Sequence, residues 1–224
     1  MEQPIIIFII LLVTGVLLFL GYYYSKKNTI LRELKKTRKK QIPNVKENEY
    51  AKVIGKALHV HEPLIAPLSG RKCVYYYVHI QKKGDKSWHT FIKEEQAQDF
   101  FIEVNSEMAI IKPDNFPKKT FVVEDFKTKS GSFNDATPEL ERFLNKHGKE
   151  SKGFFGFNRQ LRYKEGIIEL QENIAVKGIG KWKPLKEPIE GYNYSKILTL
   201  TGTENKKLII TDLPEGLKRV DNRL

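Results

Sequence analysis

The pattern of apolar and polar positions changes character twice along the chain. From Gln3 to Ser25 no residue is charged, and Pro4 to Gly21 is almost wholly apolar. About 20 helical residues at about 1.5 Å each reach roughly 30 Å, the hydrocarbon thickness of a bilayer. Tyr22, Tyr23 and Tyr24 follow, where an interfacial aromatic belt would sit. A cleaved signal peptide needs a basic start, a shorter apolar core and a small-x-small cleavage site. Here Met1, Glu2 and Gln3 precede the run, and tyrosines and lysines follow it. Residues 1–25 are therefore expected to form an uncleaved transmembrane anchor.

A basic stretch comes next. Lys26, Lys27, Arg32, Lys35, Lys36, Arg38, Lys39 and Lys40 face only Glu33, a net +7 between Ser25 and Lys40. The helix is expected to continue through Ile30, Leu31 and Leu34. It should stop near Pro43, because proline disfavours helix at the residue before it. Residues 26–48 thus read as a basic juxtamembrane helix and a short linker over 41–48. The positive-inside rule places the amino terminus outside and the carboxy-terminal domain in the cytoplasm. The same eight cations are candidates for contact with anionic headgroups of the bilayer.

From Glu49 the pattern shifts to short β-type runs broken by glycine, proline and charge. Strands are expected near 50–60, 72–82, 87–93, 99–104, 107–112, 120–124, 166–170, 172–181, 194–201 and 207–212. The polar segment from Lys127 to Ala136 reads as a loop. One helix stands out after it. Thr137 can cap it, Pro138 suits its first position, and Glu139 and Glu141 favour its positive end. Leu140, Phe143, Leu144 and His147 make one stripe, with Gly148 as a stop. The expected fold is an N-terminal transmembrane helix followed by a β-rich domain over 49–212, a distorted barrel or sandwich with one packed α-helix, and a tail over 213–224. Two aromatic segments are candidate surfaces for a protein partner: the strand at Tyr75–Tyr77 and the glycine-flanked loop Phe154–Phe157, whose phenylalanines either plug the core or touch the membrane or a partner. A faint internal echo joins Lys52-Val-Ile-Gly-Lys56 to Lys177-Gly-Ile-Gly-Lys181, each preceded by a Glu-Asn pair.

Composition sharpens this picture. The chain has 224 residues and a formal net charge of +12. Its mean hydropathy of −0.45 averages a bilayer span with a polar domain. The basic flank accounts for about half the net charge, so a nucleic-acid partner is not expected. The lone Cys73 excludes a disulfide framework and a thiolate-rich zinc site. No cofactor is expected.

Candidate chemistry is sparse. Cys73 with His59, His61, His79 or His89 would need an accessible, low-pKa thiol, yet it lies in an apolar, β-prone run. His59-x-His61 puts two imidazoles on one strand face, compatible with a metal but without a carboxylate at known spacing. Gly178-Ile-Gly180 lacks the third glycine of a dinucleotide loop.

The block from His61 to Tyr76 carries a family signature. Gly55, Glu62-Pro63-Leu64-Ile-Ala-Pro67-Leu68-Ser69-Gly70-Arg71 and Cys73-Val-Tyr75-Tyr76 resemble the GIDE, or "beside a membrane" (BAM), domain. Trp88, Lys112-Pro113-Asp114, Arg162-Tyr163-x-Glu165 and Ile174-Ala-Val-Lys-Gly178 follow in the order of that family. The domain is the non-RING region of MULAN-type ubiquitin ligases in mitochondria and plastids, and it also occurs in prokaryotic membrane proteins. The resemblance implies a prokaryotic-type member; the lone cysteine and the lack of a second apolar run of spanning length depart from the organellar ligases, so a single-pass chain without a RING is expected. Its expected role is binding or scaffolding beside the membrane, with His61 to Tyr76 as the family-motif residues. A ubiquitin-transferase label would rest on this resemblance alone. The alternatives are an enzyme or ligase-accessory factor using the His59–Cys73 block, or a lipid binder using the 26–40 flank.

Overall fold

The computed structural model describes residues 2–113, 118–131, 134–153, 156–185, 187–189, 192 and 194–218. The apolar run forms α1 (Glu2–Tyr23). Its stretch Ile5–Tyr23 has a mean hydropathy of 2.9 and is long and apolar enough to cross a membrane. The helix does not run on as expected. It breaks at Tyr24–Ser25, where the Ser25 hydroxyl accepts from the Asn28 backbone N–H at 3.3 Å and caps α2 (Lys26–Lys35). A serine oxygen there satisfies an amide that the new helix would otherwise leave unpaired.

The β-rich domain has two sheets. A closed five-stranded barrel is made by β1 (Tyr50–His59), β5 (Phe100–Val104), β6 (Glu107–Ile111), β11 (Lys196–Thr201) and β10 (Asn173–Pro184). β10 returns to β1, which removes both free edges. β12 (Leu208–Thr211) and β7 (Lys118–Thr120) extend the sheet alongside β10. Alternate residues fill the interior: Ala51 and Val53 from β1, Ile174 and Val176 from β10, Phe100 and Ile102 from β5, Leu198 and Leu200 from β11. Gly55 stands where β1 passes β5. A Cβ there would come 2.1 Å from the Glu103 carbonyl oxygen, so only glycine lets the strands approach.

The second sheet contains β2 (Leu64–Ile65), β3 (Lys72–Lys83), β4 (Trp88–Ala97), β9 (Leu161–Glu169) and β8 (Phe126–Ser130). β3 pairs with β2 and β4 on one side and with β9 on the other, and β9 pairs with β8. One face is covered by α3 (Pro138–Lys146), whose Leu140, Phe143 and Leu144 pack on Tyr76, Val78, Ile80, Tyr163 and Ile167. The Thr137 cap and a left-handed Gly148 (φ 61°) bound α3 as its sequence implies.

Two local expectations need correction. β8 overlaps the segment Lys127 to Ala136 expected to be a loop. It is a half-exposed strand whose cations alternate with small polar residues, so no apolar alternation marks it. The strand expected at 120–124 is instead β7 at Lys118–Thr120.

The segment before the barrel is built into it. Ile30 and Leu34 of α2 pack on Ile54, Ala175 and Ile209 on the barrel's outer wall. Ile42, in a short 3-10 turn (Ile42–Asn44), and Val45 join the barrel core, and the Trp182 indole donates to the Val45 carbonyl at 2.9 Å. A short α4 (Pro214–Leu217) meets α2 through the Lys27–Glu215 ion pair at 3.1 Å. The two echoing segments are strand neighbours, with Lys52 directly opposite Lys177. Both lysines are buried, and Lys177 lies against the end of α2. Lys177 donates from Nζ to the Glu33 carbonyl at 2.9 Å and sits 4.4 Å from the Tyr50 ring centroid. A cation there meets the negative end of α2.

Candidate functional site

The family-motif block makes a turn, not a cleft. The Gly70 N–H donates to the Ala66 carbonyl at 2.9 Å, and Gly70 takes φ 70°, a left-handed conformation suited to glycine. Glu165, fully buried, receives the backbone N–H groups of Leu68 at 2.8 Å and Ser69 at 3.0 Å. Arg71 lies 3.6 Å from Asp125 and 3.3 Å from Glu169. Leu64 and Leu68 pack under α3, while His61, Glu62 and Gly70 are exposed and Pro63 and Pro67 partly so. These residues hold the β2–β3 corner to β9.

Cys73 is fully buried, and burial, with the charge of Glu165 adding, pushes its thiol up to about 12. That is the opposite of an activated nucleophile. His59 and His61 are both exposed, and the His59 Nδ1 lies 2.9 Å from the His61 carbonyl oxygen. His79 contacts the Thr90 hydroxyl at 3.0 Å and His89 the Ser87 hydroxyl at 3.1 Å. Among the described residues no group of three or more His, Cys, Asp or Glu could hold a metal ion.

The tyrosine strand also differs from expectation. Tyr75 belongs to the barrel core and Tyr76 to the core under α3, with its hydroxyl donating to Glu94 at 2.5 Å. Only Tyr77 is partly exposed. In the phenylalanine loop, Phe154 and Phe155 lie outside the described residues, and Phe157 is 79% exposed.

The juxtamembrane cations are partly engaged. Lys36 pairs with Glu33 at 2.8 Å and Lys40 with Glu49 at 2.5 Å, besides the Lys27–Glu215 pair. Arg32 donates to the Tyr23 carbonyl and stacks on the Tyr23 ring. Lys26, Lys35, Arg38 and Lys39 are exposed.

The most concentrated chemistry lies elsewhere, on the open face of the second sheet. Tyr77, His79, Gln81 and Lys83 alternate outward along β3, opposite the face that α3 covers. Strand register lines up Lys127, Lys164, His79 and Lys93 across β8, β9, β3 and β4. The next rung is Lys129, Arg162, Gln81 and Thr90. A groove of about 340 Å³ runs along His79, Gln81, Lys127, Lys129, Arg162 and Lys164. It joins, at Lys164, a cleft of about 160 Å³ reaching Lys26, Tyr77, Lys93, Thr120 and Glu124. Trp88 closes the far end, with the Arg162 guanidinium 4.6 Å from its ring centroid. Burial, then the charges of Lys164, Lys93 and Arg162, hold His79 below the ordinary imidazole value.

No family model, curated protein or solved structure matches the chain.

The open face was not singled out from sequence. Its signal is the alternation of cations at Lys127 and Lys129 and at Arg162 and Lys164, two residues apart and so on one strand face. Reading 127–136 as a loop hid half of it.

Proposed function

We propose that this chain is a single-pass membrane protein whose β-rich domain is a non-catalytic binding and scaffolding module beside the bilayer. In this reading the amino terminus is outside and the domain is cytoplasmic, as the +7 flank favours. The protein is assigned, on its motif residues, to the GIDE type without a RING. The observation that carries the reading is the joint between span and domain. The Asn28 side-chain amide donates to the Tyr22 carbonyl at 2.7 Å, Arg32 donates to that of Tyr23, and α2 is packed on the barrel wall. A domain tied this closely to the end of an apolar helix is built to act at a fixed distance from the membrane. The buried Cys73 does not support the enzymatic alternative, since a nucleophile needs access and a lowered pKa.

The test is photo-crosslinking of the full chain in native membranes, with the reactive group at the exposed Phe157. Discrete adducts, absent when the group is moved to Glu204, are expected from a chain that resists alkaline carbonate extraction. Extraction into the soluble fraction, or a carboxy-terminal topology reporter on the outer side, would sink the reading.

A further inference from the structure

We propose that the open face of the second sheet is a docking shelf for the phosphate groups of anionic lipids in the membrane that holds α1. The inference rests on the anchoring reading above and adds a second contact with the bilayer, distinct from the 26–40 flank.

The first argument is register. Lys127 stands directly opposite Lys164, and Lys129 opposite Arg162. Like charges directly opposite on paired strands destabilise a sheet. Glu124 offsets part of this, contacting Lys164 and lying 3.8 Å from Lys127. Among the described residues, Lys93, Lys129 and Arg162 have no carboxylate within ion-pair distance. A sheet that aligns its own cations gains most from a counter-charge supplied from outside.

The second argument is the cleft at the inner end of the shelf. Thr120 lines it, is only 2% exposed, and its hydroxyl has no hydrogen-bond partner among the described residues. A buried hydroxyl without a partner is costly. It shares the cleft with Lys26, Lys93 and Lys164, so an anionic oxygen entering there would meet both the cations and the hydroxyl.

The third argument is position, and it selects the source of the phosphate. Lys26 is two residues beyond Tyr24, the last of the interfacial tyrosines. Because Lys26 lines the cleft, the shelf begins at headgroup depth. Tyr77 and Trp88, on the same face, have the apolar body and polar tip suited to that layer. A single-stranded nucleic acid would also meet cations and rings, but nothing would hold it at the membrane end of the shelf.

The experiment uses the full chain in nanodiscs, with a spin label on Asp85→Cys at the tip of the β3–β4 hairpin. Buried Cys73 stays unlabelled. A lipid carrying a nickel chelate on its headgroup relaxes the label only when α1 and the domain tilt together as one body and lay the shelf on the bilayer. Strong relaxation is expected in phosphatidylglycerol-containing discs and weak relaxation in phosphatidylcholine discs. A control label on Glu204→Cys should read the same in both. Each cation near an anionic surface strengthens adsorption about fivefold. The combined Lys127→Gln, Lys129→Gln and Arg162→Gln variant should therefore lose about a hundredfold and read as in phosphatidylcholine. Lys127→Arg with Lys129→Arg should retain docking, which separates loss of charge from loss of fold. Equal relaxation in both discs, or an unchanged triple variant, overturns the shelf while leaving a carbonate-resistant anchor standing. Saturable oligonucleotide binding to phosphatidylcholine discs, lost in the triple variant, overturns it in favour of nucleic acid. Carbonate extraction of the wild type overturns the anchor and the shelf together.

Discussion

Single residues explain why the motif block is structural. Glu165 takes two backbone amides from the Leu68–Ser69 turn, so its carboxylate replaces the ladder bonds that the turn cannot make. Removing it would leave a buried and a part-buried donor unpaired, and Glu165→Leu is expected to cost several kcal/mol by thermal unfolding, near the upper end for a single substitution. Close by, Glu172 is pushed up to about 7 by burial, with the charges of Asp212, Asp125 and Glu169 adding. Asp212 is pushed up to about 6, again chiefly by burial. The folded state therefore holds protons that the unfolded chain has released. The stability that Glu172 contributes is present below its unfolded value of 4.5 and is lost as pH rises through about 7. Glu172→Gln keeps an oxygen that can accept from the Glu169 N–H, now 2.9 Å from the carboxylate, and cannot ionise. It should raise the unfolding free energy at pH 8 by an amount on the order of 3 kcal/mol and flatten the pH profile from about 5 to 8. An unchanged profile would show that Glu172 is not the group that titrates.

At the scale of elements, most of the fold was readable and the failures share a cause. β1, β3, β5, β6, β10, β11 and β12 bury one or both faces, so their branched and aromatic residues announce them. β8 buries little and carries cations, so its pattern resembles a solvated loop. The break between α1 and α2 turns on one serine cap, which apolar periodicity does not register. Barrel closure depends on pairing between β1 and β10, far apart in sequence. The only trace of it was the Lys52/Lys177 echo, whose meaning as a facing pair needed the register. Gly55 is the element-level position to test. The obstacle to a side chain there is backbone, the Glu103 carbonyl, and Val104 Cγ2 also stands only 2.7 Å from the added Cβ. The carbonyl cannot move without opening the β1–β5 pairing. Gly55→Ala is expected to destabilise the barrel by about 2–4 kcal/mol in the full chain in detergent, and a change below about 0.5 kcal/mol would show that the barrel can breathe at this crossing.

At the scale of the whole molecule, function turns on whether the domain is free or fixed relative to α1. Two helices joined by Tyr24 and Ser25 alone would swing about each other. Here the last carbonyls of α1 are occupied by α2 side chains, Asn28 on Tyr22 and Arg32 on Tyr23. In turn α2 is fixed by Ile30 and Leu34 in the wall and by Lys177 at its carboxy-terminal end. The Lys27–Glu215 pair ties the same helix to α4. The chain of contacts runs unbroken from the apolar helix to the barrel, and the shelf is carried on the same frame through Lys26. Asn28→Ala with Arg32→Ala should loosen the joint without opening either core, because both side chains act on α1 and not on the barrel. In nanodiscs a spin label at Glu204→Cys should then show faster domain reorientation, with the unfolding free energy within about 0.5 kcal/mol of wild type. Leu34→Ala should do the reverse. It removes a buried side chain and should cost about 2–5 kcal/mol, leaving the domain's motion slow below its melting point. If the double variant reorients no faster than wild type, the joint is held by packing of α2 alone, and the capping of α1 has no part in fixing the domain over the bilayer.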